Sequence, residues 1–144
     1  MSAVARAPAV STHASYLAFD FGTRRIGVAS GNSLIGQATP LRTVDAGVGA
    51  LDAIGKLVDE WRPDALVVGV PVHPDGAAHE NTRRARRFAR QLHGRFHLPV
   101  HEVDERYSTT EARAEGRRDL DAAAAAIILE QFLRGLGPAD GSSP

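Results

Sequence analysis

The stretch Leu17-Ala18-Phe19-Asp20-Phe21-Gly22-Thr23-Arg24-Arg25-Ile26-Gly27-Val28-Ala29 constrains the chain more than any other. Leu17 to Phe21 is apolar without alternation, apart from Asp20, which is the pattern of a strand covered on both faces. Asp20 therefore sits where a charge is costly unless hydrogen bonds, a basic partner or a metal ion compensate it. On this segment alone two readings stand level. Asp20 is either a cap for the Gly22-Thr23 turn or a carboxylate kept for chemistry.

The remaining pattern supplies the cover. Ile26–Ser30 reads as a second strand, Gly31-Asn32-Ser33 as a hairpin turn and Leu34–Thr43 as a third strand, at an edge or irregular because of Pro40. The period then changes to three and four, with Val48, Leu51, Ile54, Leu57, Val58 and Trp61 on one face of a helix from Ala46 to Trp61. Pro63 accounts for its end. Ala65–Val70 is a second fully apolar strand, followed by a loop over Pro71–Ala78 that contains the turn Pro74-Asp75-Gly76. Asn81 or Thr82 caps the next helix, whose inner face is Ala85, Phe88, Ala89, Leu92 and Phe96. Pro99–Asp104 is the last strand, and Ser108-Thr109-Thr110-Glu111 is a capping box for a short helix. A final helix opens at Asp119 or Asp121 and stops at Gly135 and Gly137-Pro138. The expectation is an α/β domain over residues 16–137, with a leader over 1–15 and a flexible tail over 138–144. Its mixed five-stranded sheet joins a three-strand antiparallel meander to parallel strands, flanked by helices.

Composition narrows the function classes. There is no cysteine, which rules out disulfides and thiolate metal sites and fits a cytoplasmic protein. No apolar stretch reaches the length of a membrane span. The 17 basic and 17 acidic residues balance, which argues against a protein that coats nucleic acid nonspecifically. The charges are nevertheless segregated: Arg83, Arg84, Arg86, Arg87, Arg90 and Arg95 crowd one segment, opposed there by Glu80. Arg83, Arg86, Arg87 and Arg90 follow helical spacing along one side, a stripe suited to phosphates. His93 and His97 have zinc-compatible spacing but no evident third ligand, so they read as surface residues.

In sheets of this kind ligands gather beyond the carboxyl ends of the parallel strands. Asp20 falls at the end of the first strand, Asp104 and Glu105 at the end of the last, and Asp119 and Asp121 at the start of the closing helix. Each acid alone has an ordinary explanation, as a helix cap or a surface ion pair. Together they offer carboxylates to one rim, the oxygen ligands a hard divalent cation takes.

Four motifs carry a resemblance over roughly Tyr16 to Gly135. They are the Phe19–Ala29 segment, Val67-Val68-Gly69-Val70-Pro71 with Asp75-Gly76, Asp104-Glu105-Arg106-Tyr107-Ser108-Thr109, and Leu120-Asp121-Ala122-Ala123 with Ile127-Ile128-Leu129. In this order and spacing the chain resembles the YqgF (RuvX-like) family of bacterial RNase H-fold nucleases. The resemblance implies an RNase H-like fold, a catalytic and metal-binding triad at Asp20, Glu105 and Asp121 with Asp104 as an adjacent ligand, and magnesium or manganese as cofactor. It implies structured nucleic acid as substrate, either the 5′ end of the 16S rRNA precursor, with ribosomal particles as partners, or the branched DNA of a Holliday junction. A monomer or weak homodimer is expected.

Thr23 and Arg24 are candidates for phosphate contact or water orientation, whereas Arg25 reads at least as well as part of a solvated turn. The segment before Asp121 is shorter than the family's, and Arg117 and Arg118 supply its positive charge. Asp-Phe-Gly-Thr also opens the phosphate loop of actin-like and sugar-kinase ATPases, but those enclose nucleotide between two domains, for which 144 residues leave no room. A binding module that has lost its chemistry would be free to lose its acids, and this chain keeps all of them.

Overall fold

The computed structural model describes residues 14–72, 80–105 and 118–142. The apolar run of β1 (Ser15–Phe21) takes the centre of a five-stranded sheet, with Leu17, Ala18 and Phe19 fully buried. β2 (Arg25–Asn32) pairs antiparallel with β1, and β3 (Ala38–Asp45) antiparallel with β2, completing the meander. α1 (Ala50–Trp61) returns the chain to β4 (Ala65–Pro71), which lies parallel to β1 on its other side. α2 (Glu80–Phe96) leads to β5 (Val100–Glu105), parallel to β4, and α3 (Arg118–Ser142) follows. The order across the sheet is β3-β2-β1-β4-β5, the mixed sheet expected from the sequence.

Strand alternation sorts side chains between two covers. Leu17, Phe19, Ile26, Val28, Leu66 and Val68 pack under α1 and α2 with Ile54, Leu57, Phe88 and Leu92. Tyr16, Ala18 and Val67 face α3, where Ile128, Leu129 and Leu133 meet them, and Ala29 meets Ala125 and Ala126. Each large side chain buried in this way contributes roughly 1.5–3 kcal/mol.

Several boundaries differ from expectation, each for a local reason. β3 begins at Ala38 rather than Leu34, because Asn32 accepts hydrogen bonds from Ile35 N (2.9 Å) and Gly36 N (3.0 Å) and holds a wider turn. Leu34 and Ile35 are left exposed on it. Pro40 does sit on an edge strand, beside a register shift at Val28/Ala29. α1 begins at Ala50 rather than Ala46, since Gly47 (φ 105°) and Gly49 (φ 91°) hold backbone conformations that a helix does not use. Val48 is consequently exposed instead of joining the core face. Glu80, ahead of Asn81 and Thr82, opens α2, and the Thr82 hydroxyl donates to the Pro71 carbonyl, tying the helix to the end of β4. α3 does not stop at Gly135, where Leu133 and Leu136 pack on the second core, and its described course reaches Ser142. The Pro74-Asp75-Gly76 turn and the Ser108–Glu111 capping box lie outside the described residues.

The helix on the acid-bearing face is seated directly on the sheet. Asp20 is flanked in register by Gly27 on β2 and Gly69 on β4. A Cβ at Gly27 would stand 1.9 Å from the Asp121 carbonyl oxygen and 2.8 Å from Ala122 N, both backbone atoms. One at Gly69 would stand 2.3 Å from Ile128 Cδ1, the tip of a side chain that can turn. Gly27→Ala is therefore expected to cost roughly 3 kcal/mol and lower the melting temperature by about 10 °C. Gly69→Ala is expected to cost about 1 kcal/mol. Thermal unfolding of the two variants side by side checks the ordering.

Candidate active site

Three carboxylates are buried on the α3 face: Asp20, Glu105 and Asp121, at 2%, 2% and 6% exposure. Asp20 arrives from the end of the central strand, where the sheet is held on both sides. Glu105 is the last residue of β5 and shares the parity of Val103, which packs in the α3-side core. Its Oε1 lies 3.5 Å from the position a Gly69 Cβ would take, an ordinary packing distance. Asp121 comes from the beginning of α3, brought down by the same close approach at Gly27. The glycine beside Asp20 on β2 thus admits Asp121.

Both Asp20 and Glu105 take part in interactions of their own, yet one buried oxygen of each, Asp20 Oδ2 and Glu105 Oε1, has no hydrogen-bond partner among the described residues. Asp121 Oδ2 accepts a hydrogen bond from Arg25 Nε at 2.8 Å, in an ion pair that spans 96 positions of sequence. Hard oxygen donors of this kind suit Mg2+ or Mn2+. Among the described residues, however, no three acidic or histidine side chains stand close enough to hold one ion as they are. Asp121 is turned toward Arg25.

The other sequence candidates separate cleanly. Asp104 alternates with Glu105, so it falls on the α2 face and is exposed, away from Asp20. The structure does not bring it to the acid cluster. Thr23 and Arg24 are exposed in the turn between β1 and β2, and Thr23 lines a cavity of about 570 Å³ with Phe21, Leu51, Arg84, Arg87 and Gln91. That cavity is on the α1–α2 side of the sheet. Of the α2 stripe, Arg83 pairs with Glu80 at 3.1 Å, as the neighbouring Arg84 does at 3.0 Å, and Arg86 pairs with Glu102 at 3.6 Å. The Arg84 hydrogen bond, then that of Arg83, hold the Glu80 carboxyl below its ordinary pKa. Arg87 and Arg90 are exposed with no ion pair among the described residues. Arg117 lies outside the described residues. His93 and His97 are exposed on the last turn and C-terminal end of α2.

Arg25 is the residue the sequence reading undervalued. It opens β2 instead of lying in the turn, and its parity with Gly27 points it at the acids. Alternation was the available signal, because Ile26 and Val28 claim the other face.

The sequence profile of the RuvX family, described as "Holliday junction resolvase", matches residues 14–135. The chain belongs to the RuvX family. Among its relatives, a Polaromonas protein named "Putative pre-16S rRNA nuclease" is 64% identical over 123 residues, covering 85% of this chain and 89% of its own length. A protein of the same name from Albidiferax ferrireducens is 63% identical, covering 85% of this chain and 79% of its own length. The fold is RNase H-like, as in RuvC: the T. thermophilus RuvC structure solved with a Holliday junction superimposes with a TM-score of 0.52 at 16% identity, over 84% of this chain and 94% of that one.

The division within the α2 stripe is open to measurement in a RuvX family member that binds nucleic acid. Arg87→Glu with Arg90→Glu is expected to lower the salt dependence of binding by about 1–2 units of log–log slope. Arg83→Glu, whose guanidinium already serves Glu80, is expected to change it by less than about 0.5. Fluorescence anisotropy across a salt series reads both.

Proposed function

We propose that this protein is a metal-dependent nuclease of the 16S rRNA precursor, hydrolysing phosphodiester bonds at the rim formed by Asp20, Glu105 and Asp121. The observation that carries the chemistry is the burial of these three carboxylates on one face of the sheet, from three distant parts of the chain. Buried acids cost folding energy unless something cationic compensates them, and a divalent ion does so most fully. The substrate assignment rests on the relatives named for the pre-16S rRNA, at identities of 63–64% over most of both chains. It implies work beside ribosomal particles in the cytoplasm. Among the described residues no helix is long and apolar enough to cross a membrane.

Asp20 and Glu105, both buried, would hold the cation, and Asp121 would complete its ligands once clear of Arg25. Such an ion supplies an activated water and charge neutralisation at the leaving oxygen. The chain's own residues do the remainder. The sheet fixes Asp20 between two hydrogen-bonded neighbours, so its carboxylate does not wander. The cover of α3 keeps bulk water off the acids, which strengthens every charge interaction among them. Thr23 and Arg24, exposed on the adjoining turn, meet the phosphates next to the one cleaved, and Arg87 and Arg90 carry the strand onward along α2.

A Holliday junction resolvase is the second reading, favoured by the description of the matching family and by the RuvC-like fold. Cleavage of a precursor-rRNA 5′ end and of a four-way DNA junction, each with Mg2+ and with EDTA, decides between them. The expected result is Mg2+-dependent cutting of the RNA in preference to the junction. Asp20→Asn is expected to reduce the rate by more than ~100-fold, beyond what loss of an outer partner of a metal ligand costs, with its circular dichroism unchanged. A folded Asp20→Asn protein that cuts at the wild-type rate removes the proposed site.

A further inference from the structure

We propose that Arg25 is a positioning residue that keeps the metal site open until nucleic acid arrives, by holding Asp121 in the free protein and passing to a substrate phosphate in the complex. The inference rests on the nuclease reading and adds a coupling between metal and substrate that the reading does not require.

The geometry carries it in three steps. Arg25 Nε donates to Asp121 Oδ2 at 2.8 Å, so that oxygen is committed to a cation of the protein itself. In keeping with this, no metal-holding trio is gathered among the described residues although three carboxylates are buried on the face. The two side chains differ in accessibility: Arg25 is 23% exposed, and Asp121 is 9%. An anion from solvent therefore meets the Arg25 side chain before it meets the carboxylate. Phosphate oxygens match the arginine fork as well as a carboxylate does, and they bring the same charge-assisted bond. Arg25 also follows directly on Thr23 and Arg24, the exposed turn where a strand entering the rim makes its first contacts.

When a phosphate takes Arg25, Asp121 is left buried with no ion pair, beside Asp20 across Gly27. Such a carboxylate is costly alone, and the ion that Asp20 and Glu105 attract is the partner within reach. Substrate binding thereby raises metal affinity, and by linkage the metal raises substrate affinity by the same factor. A protein free of substrate would hold its metal weakly, which restrains stray cleavage.

A calorimetric titration with Mn2+ tests this in four proteins: wild type, Arg25→Gln, Asp121→Asn and the double variant. Arg25→Gln is expected to bind Mn2+ about fivefold more tightly than wild type without nucleic acid. In the Asp121→Asn background the same change is expected to have less than about a twofold effect, since Arg25 acts through that carboxylate. An equal gain in both backgrounds means a long-range charge effect and overturns the proposal, as does an Arg25→Gln affinity equal to wild type. A single-stranded RNA oligonucleotide with a phosphorothioate backbone is then added. It is expected to tighten Mn2+ binding by about fivefold or more in wild type and by markedly less in Arg25→Gln; equal tightening overturns the proposal. Should Arg25→Gln fail to fold, Arg25→Lys, which keeps the charge without the fork, is expected to give values between the two; wild-type values would overturn the proposal. Wild type that binds no Mn2+ and cuts neither substrate defeats the nuclease reading itself. Cleavage with Mn2+ bound but no Arg25 effect defeats this inference alone.

Discussion

The seat of α3 on β2 at Gly27 is the constraint from which the acid site follows. A helix normally rides on side chains, but here the Asp121 carbonyl comes within 1.9 Å of where a β-carbon would be, so backbone lies almost on backbone. That approach needs glycine beneath and small residues along the helix, which Ala122, Ala125 and Ala126 supply. It brings the helix's acid down to the level of the sheet beside Asp20. On the other flank a side chain at Gly69 would run into Ile128, so there too the helix needs a bare strand beneath it. Packing and chemistry are the same feature on this face.

Placing three carboxylates in that seam works against folding, and the structure shows where the conflict is met. Arg25 offsets Asp121 with a partly buried, charge-assisted hydrogen bond. The opposite face carries no such conflict: the side chains beneath α1 and α2 form a continuous apolar core, and Arg83, Arg84 and Arg86 pair at its surface with Glu80 and Glu102. A chain whose local rules agree almost everywhere and break at one seam marks that seam as the place kept for function.

Much of this was legible in the residues, for identifiable reasons. β1 and β4 are uninterrupted apolar runs with one plausible fate, and their bounds came out within one or two residues of the reading. Asp20 stood out because nothing but function or capping explains a carboxylate in such a run. The strand pattern alone could not choose between Asp104 and Glu105, since both end the same strand, and it was the family resemblance that put Glu105 in the triad; pairing to β4 fixes the parity and sends them to opposite faces. Leu34 and Val48 mislead because an apolar residue reads as the start of a strand or the face of a helix where Asn32 and two glycines with positive φ have already set turns. Gly135 misled in the other direction, as a stop signal overridden by Leu133 and Leu136 packing around it. Arg25 was hidden by its neighbours, because a Thr-Arg-Arg turn looks solvated until the register shows that the strand has already begun.

The register also separates the buried acids from the arginines of α2. Asp20, Glu105 and Asp121 sit beneath α3, while Arg84 and Arg87 line the cavity on the α1–α2 side, with the Thr23 turn between them. A polyanion is attracted by the α2 side and repelled by the α3 side, so the field alone orients it without bringing a phosphate to the acids. In the proposed exchange the cation on the acid side is Arg25, placed on that face at the first residue of β2. The proposed order of contacts, α2 first, then the turn, then Arg25, runs from exposed and salt-sensitive toward buried and specific. On that proposed path affinity would come mainly from the arginines of α2, and commitment to cleavage from the exchange at Asp121.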